Sequence, residues 1–252
     1  MVMMGLWRSE WLKLRSVRST YLSFGLTVLL SVGGGAAAVA SLGTIWVGVA
    51  GEHGVYDPTA PIFGGVPFAQ LVLAVGGVLA GSSEYSTGTI ATSLIAVPRR
   101  VRFFGAKVTA FALVALAVSE VTAFGCFFAA QAVLAAHVPH VVLGQPHVAR
   151  AVIGTGIDLT LVGLLGLALG SLLRRPAPAI ATIVVLVFFP SQAVRALPAW
   201  LQTYLPTLAG TEISNVVRLP NSLPAWTGLG LMGAFTAAVL AAALIRLCIT
   251  DA

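Results

Sequence analysis

The chain has 252 residues, of which 58% are hydrophobic and only 9% charged, with a formal net charge of +6. That apolar share exceeds what the core of a soluble domain needs, and a bilayer-spanning chain of this kind satisfies its backbone by helices, so it reads as an all-α, polytopic membrane protein. The surplus cations lie beside apolar stretches rather than on one polar face, which fits orientation in a bilayer and argues against a nucleic-acid partner.

The opening residues form a cationic amphipathic stretch. Leu6, Trp7, Trp11, Leu14 and Val17 fall on one helical arc, with Arg8, Lys13 and Arg15 off it. Residues 1–20 therefore read as an interfacial helix with its Trp rings at headgroup level, or as an extension of the first span. No small-residue cleavage site stands out behind it, so the first span is expected to be retained.

Crossing roughly 30 Å of hydrocarbon takes about 20 apolar residues, and six stretches qualify. They run from Tyr21 to Val47, Gly64 to Ser82, Val108 to Ala136, Ala151 to Leu173, Ala179 to Leu197 and Trp226 to Leu247. With the N-terminus inside, Arg8, Lys13, Arg15, Arg18, Arg99, Arg100, Arg102, Lys107, Arg174, Arg175 and Arg246 fall on the cytoplasmic side. Only Arg150, Arg195 and Arg218 fall outside. This bias predicts both termini in the cytoplasm. Small residues at helix-packing spacings, Gly33 with Ala37, Gly77 with Gly81, and Gly163, Gly166 and Gly170, predict close helix contacts.

Between the second and third spans lies a charged island, EYSTGTIATSLIAVPRRVRFFGAK, from Glu84 to Lys107. It is expected to lie in water or at the membrane surface, and its four cations place it in the cytoplasm as the largest surface there for a soluble partner. At the other side of the membrane, residues 198–224 are too apolar for a solvated loop and too broken by proline to span. They read as a re-entrant element or as a loop lying in the headgroups.

The chemical motifs are mostly negative. Gly105-Ala106-Lys107 lacks the leading glycine and the hydroxyl residue of a phosphate loop, so no ATP site is expected in this chain. The signatures of zinc hydrolases and serine hydrolases do not occur, which argues against an enzyme. His137, His140 and His147 share a loop, but Pro139 and Pro146 break the helix a metal pair would need. Cys126 lies within a span and Cys248 near the end of the chain, so both read as packing residues.

Three charges at membrane depth are more informative. Glu120 lies roughly 20 Å above the cytoplasmic edge and Asp158 about 12 Å below the outer edge, so the carboxylates share a level that Arg195 can reach. A Glu120, Asp158 and Arg195 cluster facing the bundle interior is expected. It would either line a polar pathway or form a structural bond between helices, with Ser119, Thr122 or Thr160 helping.

Four stretches, EWLKLRSVRSTYL, EYSTGTIATSLIAVPRRVRFFGAK, LVGLLGLALGSLLRRPAPAI and YLPTLAG…LPAWTGL, together resemble the permease subunits of ABC-2 type exporters, in the right order over nearly the whole chain. The resemblance implies one transmembrane domain over residues 1–252 in the bacterial cytoplasmic membrane. It also implies an interfacial connecting helix over 1–20, a coupling helix within 83–107 and an extracellular re-entrant region over 198–224. ATP and Mg would sit on a separate cytosolic ATPase, with a second permease copy completing a homodimer or heterodimer. Glu84, Tyr85, Gly88, Thr89 and Ile90 match the loop's EY-x-x-GTI signature, and Pro98, Arg99, Arg102, Ala106 and Lys107 its basic exit, where Arg100 adds a further cation. Glu84 would couple nucleotide-driven motion to the bundle. Asp158 departs from the family pattern, where a neutral or aromatic residue is usual. The cargo would be an amphipathic drug, peptide or lipid. The rival readings are a proton-coupled secondary transporter using Glu120 and Asp158, and a membrane-anchored immunity or interaction protein.

Overall fold

The computed structural model describes residues 25–37, 39–40, 62–90, 99–134, 142–193, 198–217 and 222–249. All regular structure among them is helical: α1 (Gly25–Ala37), α2 (Val66–Ser86), α3 (Arg100–Leu134), α4 (Val148–Leu173), α5 (Pro176–Ala193), the short α6 (Ala199–Tyr204) and α7 (Pro206–Thr211), a 3-10 turn (Glu212–Ser214) and α8 (Ala225–Ile249). Four of these, α2, α3, α4 and α8, are long and apolar enough to cross a bilayer, which marks the chain as a membrane protein. The first and fifth expected spans correspond to the shorter apolar helices Gly25–Ala37 and Pro176–Phe189. The expected interfacial helix over residues 1–20 lies outside the described residues.

Helix α4 is the axis of the bundle. It packs against α2, α3, α5 and α8, and is buried on nearly every face. Its tightest partner is α2, which runs parallel to it. A Cβ on Gly77 would stand 2.0 Å from the Gly163 carbonyl oxygen, and one on Gly81 would stand 2.3 Å from that of Leu167. From the other side, a Cβ on Gly166 would meet the Ala74 carbonyl at 2.2 Å, and one on Gly170 that of Val78 at 2.3 Å. The two backbones therefore touch, as the glycine spacings predict. In α1 the packing residues differ from those expected. Gly33 and Ala37 are exposed, and it is Gly35, with Ser31, that meets the Ile62–Gly65 turn.

The charged island is shorter than its sequence implies. Helix α2 continues four residues past its expected end, through Glu84 and Tyr85, and closes on a turn in which Gly88 takes a φ of +70°. Helix α3 begins at Arg100, so Lys107 belongs to its second turn rather than to a loop. Hydroxyls on Ser82, Ser86 and Thr87 donate to carbonyls three or four residues back, which supports the polar end of α2. Residues 91–98, including Pro98, lie outside the described residues.

Helix α4 ends at Arg174, which adopts a left-handed φ of +58° and donates its N–H to the Gly170 carbonyl. Pro176 starts α5 two residues later, at a position where a missing N–H costs nothing. The short α7 packs against α4, α5 and α8. Thr207 Oγ1 donates to the Leu186 carbonyl at 3.0 Å, Ile213 fills the space over Gly154, and Gly228 lies against the Ala209 carbonyl.

The α2–α4 contact yields a direct test. Gly166→Ala has no room against the Ala74 backbone and is expected to cost about 1–3 kcal/mol, seen as a lowered midpoint of thermal unfolding in detergent. Gly76→Ala, with nothing within 4 Å of its new Cβ, should leave the midpoint unchanged. Equal effects at the two positions would refute a backbone-to-backbone seam.

Candidate functional site

Two polar centres interrupt the apolar bundle. The first joins the ends of α2 and α3. Lys107 Nζ donates to Glu84 Oε2 at 2.6 Å, both side chains are only 8% exposed, and the ammonium also lies 5.5 Å from the Phe103 ring centroid. Phe103 belongs to a buried apolar cluster with Ile90, Phe104, Phe111, Leu167, Ala243 and Leu247. The predicted coupling residue Glu84 is therefore not a surface contact. It neutralises a buried lysine, and that neutralisation lets both helices run on past their apolar stretches.

Arginines tie α4 and α8 to this centre. The Arg174 guanidinium lies 5.1 Å over the Tyr85 ring, linking the end of α4 to the end of α2. Arg100 Nη1, in the first turn of α3, donates to the carbonyls of Leu247 at 2.7 Å and Cys248 at 3.2 Å in the last turn of α8. Arg246 Nη1 reaches back from α8 to the Leu172 carbonyl of α4. In the last two cases a cation meets the carbonyl-rich, negative end of a helix from a different chain segment. Sequence reasoning counted Arg174 and Arg246 only as orientation charges. The Arg246 bond to a backbone carbonyl and the Arg174 contact with the Tyr85 ring depend on which helix ends meet, so no motif announces them.

Of the other predicted residues of the loop, Ile90 and Ala106 are buried, whereas Gly88, Thr89, Arg99 and Arg102 face outward with the neighbouring Thr87. The Thr87 and Thr89 hydroxyls lie 2.9 Å apart. Among the described residues, the loop thus presents a small polar and basic surface standing on a buried, ion-paired base.

The second centre lies at mid-bundle. Asp158 is 3% exposed and ten residues into α4, about 15 Å along it from Val148. Gln70 Nε2 of α2 donates to its Oδ2 at 3.3 Å, whereas Oδ1 is buried without a hydrogen-bond partner among the described residues. Gly210 of α7 lies against that same Oδ1, closely enough that a Cβ there would stand 2.3 Å away, and Met232 of α8 lies beside it. Glu120 shares the level but not the face. Its carboxylate lies against Gly156, two residues from Asp158 and so about 200° around α4. Its Oε2 is likewise buried without a partner among the described residues. Arg195 lies outside the described residues.

The expected helpers do not serve the carboxylates. Thr122 and Thr160 donate to Val118 and Gly156 of their own helices, as membrane hydroxyls commonly do, and Ser119 Oγ has no partner among the described residues. The partner that sequence reasoning missed is Gln70, whose amide in an otherwise apolar span was the available signal. Of the looped histidines, His147 is exposed ahead of α4, while His137 and His140 lie outside the described residues.

Compared with known proteins, the chain matches no protein-family model and no curated protein.

Breaking the first centre has a defined consequence. Glu84→Ala leaves Lys107 buried and unpaired and is expected to cost about 3–5 kcal/mol, read as a loss of monodisperse protein or a large fall in thermal midpoint. The exchanged pair, Glu84→Lys with Lys107→Glu, should recover much of that loss. If the exchanged protein is no more stable than Glu84→Ala, the pair is not what holds the two helix ends together.

Proposed function

We propose that this chain is the membrane-spanning subunit of an ATP-driven exporter, with six crossings and both termini in the cytoplasm. It works as a dimer with a second permease copy and is powered by two separate cytosolic ATPase subunits that carry the ATP and Mg. The observation that carries the proposal is the construction of the Glu84 to Lys107 segment. An exposed turn and two exposed arginines stand on an ion pair whose surroundings are tied by arginine to α4 and α8. A force applied at Thr87–Thr89, Arg99 and Arg102 therefore reaches α2, α3, α4 and α8 together.

On this reading, Gly88, Thr89, Arg99 and Arg102 meet the ATPase, while Glu84, Tyr85, Arg100 and Lys107 transmit its movement. ATP binding shifts the bundle between inward-open and outward-open states only insofar as the docked contacts differ between them. The segment carrying α6 and α7 is the re-entrant region, supported by the approach of Gly210 to Asp158 at mid-bundle. The cargo is an amphipathic drug, peptide or lipid moved across a bacterial cytoplasmic membrane.

A single purification tests the docking claim. Tagged protein isolated from its host in mild detergent should bring down a stoichiometric ATPase. Arg99→Glu with Arg102→Glu, which touches neither member of the buried pair, should abolish that recovery at unchanged yield and thermal stability. Recovery of the permease alone from the unmodified chain, under conditions that preserve a known ABC complex, would sink the proposal.

The oxygens of Asp158 and Glu120 that are buried without a partner among the described residues favour a second reading, a proton-coupled carrier. It predicts that transport into vesicles collapses with the proton gradient while ATP remains plentiful, and that Asp158→Asn abolishes it. Transport that persists without a gradient excludes the carrier.

A further inference from the structure

At the end of the bundle remote from the Glu84–Lys107 pair, the first turn of α4, the 3-10 turn and the start of α8 enclose a cavity of about 240 Å3. Among the described residues, one cation and one carboxylate line it, Arg150 and Glu212. Asn215 stands between them: Arg150 Nη2 donates to its carbonyl at 2.6 Å, and its Nδ2 donates to Glu212 Oε2 at 3.0 Å. Among the described residues the two charges are bridged in this way rather than joined as an ion pair. Both residues are half-buried, and Arg150 Nε is buried without a hydrogen-bond partner among the described residues.

A cavity lined by two opposite charges held apart discriminates by charge layout. An anion alone is repelled by Glu212 and a cation alone by Arg150, whereas a zwitterion of matching polarity satisfies both. The volume is below the roughly 300–1,000 Å3 of drug-sized pockets, which limits the occupant to a small polar group. The rim indicates its source. Leu223, Pro224 and Ala225 form an apolar edge, and Trp226, 60% exposed, begins a membrane-crossing helix, where an indole sits at headgroup level.

We propose that this cavity binds the headgroup of a zwitterionic phospholipid, with its phosphate on Arg150, its primary ammonium on Glu212 and Trp226 against the lipid backbone. A primary ammonium brings the N–H donors that a carboxylate accepts. A quaternary one lacks them and is held by cages of several aromatic rings, of which this cavity has, among the described residues, only Trp226. The assignment is independent of whether an ATPase docks at the opposite end.

The test uses the full chain in detergent, with lipid retention read by native mass spectrometry. Phosphatidylethanolamine should be retained about tenfold better than phosphatidylglycerol, the equivalent of one hydrogen bond to a charged group. Soluble phosphoethanolamine should displace it. The isosteric Glu212→Gln variant should bring the two lipids to parity, and Arg150→Gln should lose both. Because both variants alter hydrogen bonds to Asn215, the displacement from unmodified protein stands as a separate measurement. Equal retention of the two lipids by the unmodified chain, or an unchanged preference in a folded Glu212→Gln variant, overturns the assignment. Binding of phosphoethanolamine without retention of its lipid overturns the lipid as source.

Discussion

Helices in hydrocarbon gain nothing from the hydrophobic effect by meeting each other, because lipid tails are as apolar as leucine. What holds them is van der Waals contact, and the deepest contact in this bundle is the glycine seam between α2 and α4. Gly77 and Gly81 on one helix, and Gly163, Gly166 and Gly170 on the other, bring backbone against backbone. Everything else is arranged around that pair. Asp158 meets Gln70 because the seam fixes the register of their helices, and Glu84 is positioned to meet Lys107 because α2 is anchored along its length.

The charges then fall into two groups with different physics. At the Glu84 end, cations meet either a carboxylate or the carbonyls of a helix C-terminus, so that most of the polarity there binds segments together. At mid-bundle, Asp158 and Glu120 carry oxygens that no described residue satisfies. Such groups are costly in a membrane, on the order of 3 kcal/mol each on insertion scales, so each must be protonated, hydrated or met by a group outside the described residues. The approach of α7 to Asp158 makes that carboxylate a junction of three chain segments rather than an isolated charge.

This division bears on the proposed function. A coupling device needs a surface to receive force and a stiff base to pass it on. On the proposed reading, Arg99 and Arg102 would supply part of the surface, while Glu84, Lys107 and the arginine ties would supply the base. Substitutions in the base and in the surface therefore report different things, and only the latter speak to docking without also weakening the fold.

Much of this was legible in the residues. Composition alone gives a helical membrane protein, and the glycine spacings mark where helices can approach closely, though not that α2 and α4 are the pair that does so. Other features were not legible, because each depends on a neighbour distant in sequence. Periodicity ended α2 at Ser82, since nothing local says that Glu84 will be neutralised by a lysine 23 residues away. Level along the axis put Glu120 beside Asp158, but the angle around α4 separates them, and rise per residue carries no information about the faces of two different helices. The sequence by itself determined which segments are apolar enough to leave water and where small residues permit close contact, because those are properties of the residues themselves. Only the tertiary structure decided which charges are paired, which helix ends are capped and which carboxylate faces which helix, because those depend on the mutual rotation of helices that the chain's local chemistry does not set.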